Sequence, residues 1–146
     1  VMVTKAENAD KYTSAEALSG ATVVAEKKSA GEEVAQSDDF FKQATYVSVD
    51  SQAKALLEVK SGTADIAVID YVMSIGTLKD GSDYSNLLVI EDKSFAPEQY
   101  GVALRKDSTE TLAKLDDAMQ ALADNGELEK IADKYNLKDL LLIKAK

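Results

Sequence analysis

Apolar residues fall along this chain in two rhythms. Val23-Val24-Ala25, Ile66-Ala67-Val68-Ile69 and Leu87-Leu88-Val89-Ile90 are unbroken runs of strand length, bounded by polar or glycine-containing turns. Such runs read as strands buried on both faces, the habit of a parallel sheet covered by helices. Thr22 to Glu26 and Ala44 to Val49 add β-branched segments, and Val1 to Thr4 is a β-prone start. An opening on Val1 is expected to continue a segment that precedes it.

Between the strands the spacing becomes helical. Thr13 to Gly20 reads as a single turn with Thr13 as N-cap and Glu16 three residues on. Ser29-x-x-Glu32 has the form of a capping box and predicts a helix from Ala30 to about Asp39. Asp50 or Ser51 caps the next helix, with Ala53, Leu56 and Leu57 on its apolar face and Gly62 at its end. Tyr71 to Leu78 reads as a short helix. After Pro97, Glu98 to Arg105 is β-prone. From Asp107 the pattern is helical again. Asp107-x-x-Glu110 is read as a cap, Leu112, Leu115, Met119 and Leu122 as a core stripe, Asn125-Gly126 as a break, and Leu128, Ile131, Ala132 and Tyr135 as the face of a second helix. An apolar tail, Leu140 to Ile143, follows.

Strand, helix, strand, helix, strand is the order of βαβ units, so the fold class is α/β: a mostly parallel sheet of about five strands flanked by helices, followed by C-terminal helices. At 146 residues the chain is long enough to remove about 70% of its unfolded surface from water. No repeat of solenoid length is visible.

Charge narrows the function. The formal net charge is −9 with 26 acidic against 17 basic residues, which argues against nucleic acid, since phosphate binding needs clustered Lys and Arg. There is no Cys and no His, so disulfides, Cys-based zinc sites, Ser-His-Asp triads and imidazole bases are excluded. No catalytic or metal-ligating set and no cofactor motif emerges. No apolar run approaches the ~18–20 residues of a spanning helix.

Two positions carry candidate chemistry. Asp70 follows the Ile66 to Ile69 run, where ligands of open α/β sheets bind beyond the carboxyl ends of strands. It reads equally as the cap of the helix that follows. Ser29 opens a helix directly after a strand, where unpaired N–H groups and the helix dipole favour an anion by about 0.3–1 kcal/mol. The alternative is that it only caps.

The succession Tyr12-Thr13, Leu18-x-Gly20, Val23 to Glu32, Leu56, Ser61 to Asp70, Glu98-x-Tyr100 to Lys106, then Leu122-x-x-x-Gly126-x-Leu128-x-x-Ile131-x-x-Lys134-Tyr135 resembles the polar amino-acid solute-binding proteins of ABC importers. Each motif is short, and their order over almost the whole chain makes the likeness specific. The resemblance implies two α/β lobes that close on an amino acid. It places the second lobe at 1–105, with hinge strands near 1–4 and 100–105. The helices of 106–146 would pack on a first lobe that this chain lacks.

The resemblance also implies roles. Asp70 would take the ligand's α-ammonium. Ser29, with the backbone N–H of Ala30 beside it, would hold the α-carboxylate. Glu26 matches a position facing the ligand's side chain, or is a rim carboxylate. Lys28 stands where the family usually has Gly, so a position that needs φ > 0 would be strained, or its cation would supplement the carboxylate site. The expected role is non-enzymatic: extracytoplasmic capture of a polar amino acid for a membrane permease, in the periplasm or lipid-anchored outside the cell. The alternatives are an enzyme of the same scaffold, such as a dehydratase acting on a small carboxylic acid, and an amino-acid sensor domain. A second copy of the chain or a complementary first-lobe fragment would cover the apolar faces of the C-terminal helices.

Overall fold

A computed structural model describes residues 1–90, 95 and 97–146. The chain forms two compact units, Val1–Pro97 and Glu98–Lys146. The first contains β1 (Met2–Lys5), β2 (Thr22–Glu26), α1 (Ala30–Ser37), β3 (Thr45–Val49), α2 (Gln52–Ser61), β4 (Ile66–Val68), α3 (Tyr71–Thr77) and β5 (Leu87–Val89). Its five strands lie in the order β3-β2-β4-β1-β5. β2 is parallel to β3 and β4, whereas β1 runs antiparallel to β4 and β5. The sheet is therefore mixed, with β1 the one strand set against the rest.

The unbroken apolar runs are explained by two cores, one on each face. Met2, Val23, Ala25, Ile66 and Val68 pack with Tyr12, Leu18, Phe40 and Phe41 on one side. Val3, Val24 and Ala67 pack with Ala55, Leu56 and Val59 of α2 on the other. Successive strand residues alternate faces, so both sets must be apolar. Complete burial of one such aliphatic side chain stabilises by about 1.5–3 kcal/mol.

Below the sheet a single carboxylate ties distant segments together. Asp65 Oδ1 accepts from Tyr12 Oη at 2.7 Å and Oδ2 from the Thr22 N–H at 2.8 Å, while its carbonyl accepts from Thr4 Oγ1 at 2.9 Å. This fixes the start of β4 against β1, β2 and the Tyr12 loop.

Several local expectations shift. α2 buries Ala55, Leu56 and Val59, while Ala53 and Leu57 face outward. This turns the face so that Gln52, one turn earlier, points toward the sheet's end. Ser51 is its cap, accepting from the Lys54 N–H, and Gly62 closes it at φ 84°. The turn ahead of β2 is a 3-10 turn over Glu16–Leu18, supported by Ser14 rather than Thr13.

The second unit holds α4 (Thr109–Asp124) and α5 (Glu127–Lys134), broken at Gly126 with φ 78°. Ser108 precedes α4 and makes no side-chain cap bond, and Glu110 pairs instead with Lys114 at 2.6 Å. Within this unit the small residues Ala123 and Ala132 are buried, whereas Leu112 and Leu122 are exposed and Ile131 is 50% and Tyr135 58% exposed. The stripe expected to be core is thus not a core of this chain: two helices cannot enclose two apolar faces. Residues 98–105 form no strand.

Candidate functional site

β2, β3 and β4 run parallel, so their carboxyl ends lie at one edge of the sheet, and each is followed there by a helix start. At the end of β2, Ser29 caps α1. Its Oγ accepts from the Glu32 N–H at 3.2 Å and donates to the Glu26 carbonyl at 2.7 Å. The reciprocal half of the capping box is shifted by one residue, since the Glu32 carboxylate accepts from the Lys28 N–H and from Tyr46 Oη. These bonds hold the Glu32 carboxyl below its ordinary range, the Lys28 N–H contributing most. Lys28 itself has φ 61°, the left-handed conformation that favours glycine. The departure noted in the sequence therefore falls on a residue with positive φ.

At the end of β4, Asp70 caps α3, its Oδ1 accepting from the Met73 N–H at 3.0 Å. Its own N–H donates to Gln52 Oε1 at 2.9 Å, and the preceding Ile69 carbonyl accepts from the Val1 nitrogen at 2.8 Å. Asp70 is half-buried, and Oδ2 has no hydrogen-bond partner among the described residues. Gln52 was not among the residues singled out in the sequence. The sole signal for it was its place directly after the Ser51 cap.

Gly31 brings these two strand ends together. A Cβ built on it would lie 2.8 Å from the Val68 carbonyl oxygen, so only glycine lets the first turn of α1 rest on the end of β4. Ser29, Ala30 and Asp70 consequently share one edge, with Glu26 half-buried at the end of the strand between β3 and β4. Asp50, at the end of β3, is engaged by Lys27 at 2.6 Å, which lowers its carboxyl. The edge thus offers helix N–H groups beside a carboxylate with one open oxygen, a pairing suited to the two ends of a zwitterion. Among the described residues no cluster of His, Cys, Asp or Glu could hold a metal ion.

This architecture is one lobe of the periplasmic-binding-protein fold, and its relatives are amino-acid-binding solute-binding proteins of ABC transporters. The arginine-binding extracellular protein ArtP of Bacillus subtilis is 35% identical over 80 residues, which span 53% of this chain and 30% of ArtP. The crystal structure of the amino acid ABC transporter substrate-binding protein AbpA from Streptococcus pneumoniae, bound to L-arginine, superposes with a TM-score of 0.73 and 26% identity, covering 94% of this chain and 56% of that one. The ancestral amino-acid-binding protein AncCDT-1, a precursor of cyclohexadienyl dehydratase, gives a TM-score of 0.72 and 25% identity over 92% of this chain and 55% of its own. The chain therefore spans about a third of ArtP and about half of each structural neighbour. No protein-family model matches it.

Proposed function

We propose that this chain supplies one wall of an amino-acid site in an extracytoplasmic solute-binding protein, with arginine the first candidate ligand, for delivery to an ABC permease. The observation that carries this reading is the side-by-side placement of the α1 N-terminus and Asp70, brought together by Gly31 on the Val68 carbonyl. The open Oδ2 of Asp70 receives the α-ammonium, and the Ser29 hydroxyl and Ala30 N–H receive the α-carboxylate. Glu26 faces a cationic side chain. The opposite wall comes from a first lobe outside this chain, to which residues 1–4 and 100–105 lead as hinges. That lobe, or a second copy of this chain, covers Leu112, Leu122 and Ile131. The protein binds rather than converts its ligand, and a lipid anchor or a periplasmic location holds it near its permease.

The test is a titration of the 15N-labelled chain with L-arginine. Amide shifts concentrated at residues 26–32 and 68–74, lost in Asp70→Ala, are the expected result. Shifts that persist unchanged in Asp70→Ala, or that fall outside residues 26–32 and 68–74, would refute the assignment.

A further inference from the structure

The break between α4 and α5 is an Asn-Gly pair, and its asparagine stands apart from the others in the chain. Asn8, Asn86 and Asn136 are followed by Ala9, Leu87 and Leu137, whose side chains crowd their own main-chain nitrogens. Asn125 is exposed and is followed by Gly126, which has no Cβ. A Cβ set on Gly126 would meet nothing within 4 Å, so the space beside this nitrogen is open.

The Asn125 side chain is folded back over this turn. Its Oδ1 accepts from the Glu127 N–H at 3.0 Å, an Asx turn whose hydrogen-bonded ring contains both Cγ of Asn125 and the nitrogen of Gly126. Glu127 is the first residue of α5, so the donating N–H belongs to the positive end of that helix, where negative charge is favoured. The Glu127 carboxylate, which would oppose such charge, is paired with Lys130 at 2.5 Å. One contact stands against any attack by the Gly126 nitrogen: its N–H donates to the Ala123 carbonyl at 3.0 Å. That bond belongs to the last turn of α4, where helices fray.

We infer that Asn125 is a site of spontaneous deamidation, at which the turn between α4 and α5 converts its own asparagine to aspartate and isoaspartate. The Gly126 nitrogen gives up its proton and attacks Cγ of Asn125. The Cγ–Nδ2 bond then breaks, and ammonia leaves with that proton. While the intermediate lasts, Oδ1 carries the negative charge, and the Glu127 N–H is already in place to hold it. The resulting five-membered succinimide is opened by water at either carbonyl. Opening at Cγ gives aspartate, and opening at the main-chain carbonyl carbon gives isoaspartate, with the main chain rerouted through Cβ. Water enters and ammonia leaves, and no other reactant is needed. Aspartate keeps an oxygen for the Glu127 N–H. Isoaspartate adds one methylene to the main chain inside a turn fixed by the Asn125 N–H on the Ala121 carbonyl at 3.1 Å and the Lys130 N–H on the Gly126 carbonyl at 3.2 Å. It therefore loosens the α4–α5 pair, whose buried residues are Ala123 and Ala132. Nothing here rests on the amino-acid site, which lies in the other unit.

Peptide mapping by mass spectrometry tests this on the full chain, held folded at physiological temperature and neutral pH over several weeks. The expected result is a mass gain of one unit in the peptide that holds Asn125, about tenfold or more faster than at Asn8, Asn86 and Asn136, since only Asn125 precedes a glycine. Isoaspartate should be present in that peptide, read by fragmentation or by enzymatic methylation. Asn125→Ser keeps a side-chain acceptor for the Glu127 N–H and lacks the amide. It should show no gain there, and should retain the hydrogen-exchange protection across residues 121–132 that the aged, unsubstituted chain loses. A peptide holding Asn125 that gains mass no faster than the other three overturns the proposal. So does aspartate without isoaspartate, because the amide would then be hydrolysed directly and not through the Gly126 nitrogen. Protection lost equally in Asn125→Ser overturns the link between the modification and the turn.

Discussion

Gln52 Oε1 accepts the Asp70 N–H at 2.9 Å, joining the first residue of α2 to the residue that ends the β4 segment. Asp70 is thereby held twice, through its backbone by Gln52 and through Oδ1 by the Met73 N–H. Its remaining oxygen is aimed by bonds that a ligand need not break. Gln52→Ala leaves a half-buried N–H without its protein acceptor, at a cost of about 1 kcal/mol. Urea denaturation should show that loss, and hydrogen exchange should place it at the Asp70 amide rather than throughout the sheet.

Gly31 has no room for a side chain. A methyl group 2.8 Å from the Val68 carbonyl oxygen must displace backbone rather than a flexible side chain, so Gly31→Ala should destabilise by about 1–3 kcal/mol. The displaced turn carries Ser29. The expected signature is therefore a lower urea midpoint together with amide shift changes across residues 28–33 and at 68–70.

Lys28 presents the opposite case, a side chain where the backbone favours none. Its φ of 61° costs about 1–2 kcal/mol relative to glycine, partly offset by the greater unfolded-state entropy that glycine brings. Lys28→Gly should raise stability by up to about 1 kcal/mol in chemical denaturation. The Lys28 N–H bond to Glu32 belongs to the backbone and survives the change.

The same bond sets a pH dependence. The Glu32 carboxyl is depressed, first by the Lys28 N–H and then by the Tyr46 hydroxyl. A carboxyl depressed in the folded state binds fewer protons there than in the unfolded chain, so its contribution is full above the ordinary glutamate range and is lost as pH falls through the depressed value. Urea midpoints measured from neutral pH downward should fall along that limb. In Glu32→Gln the limb should be shallower, with little change in slope near neutrality.

Legibility in the sequence followed the range of the interactions. The β2 strand, the Ser29 to Glu32 box and the Gly62 stop depend on residues within a few positions of one another, and all three were readable. The phase of α2 was not, because Ala53, Leu56 and Leu57 and the observed Ala55, Leu56 and Val59 differ by a small rotation that only the sheet decides. Asp65 drew no notice, since its partners Thr4, Tyr12 and Thr22 are far away in the chain. Of the two readings of Asp70 the cap is observed, through Oδ1 and the Met73 N–H, and Oδ2 has no bond among the described residues. The stripe on α4 and α5 was visible as periodicity, but periodicity says that a face is apolar and not what lies against it.

β4 is a short span with an aspartate at each end, and the two are put to opposite uses. Asp65 accepts from three other segments, Tyr12 and Thr22 on its carboxylate and Thr4 on its carbonyl. Asp70 accepts one bond on its side chain, from the Met73 backbone N–H, and its other oxygen carries none among the described residues. Five residues apart, one acid is spent on tying segments together and the other only on capping a helix. The first fixes where β4 begins; the second is held beyond its end by the Gln52 and Met73 bonds.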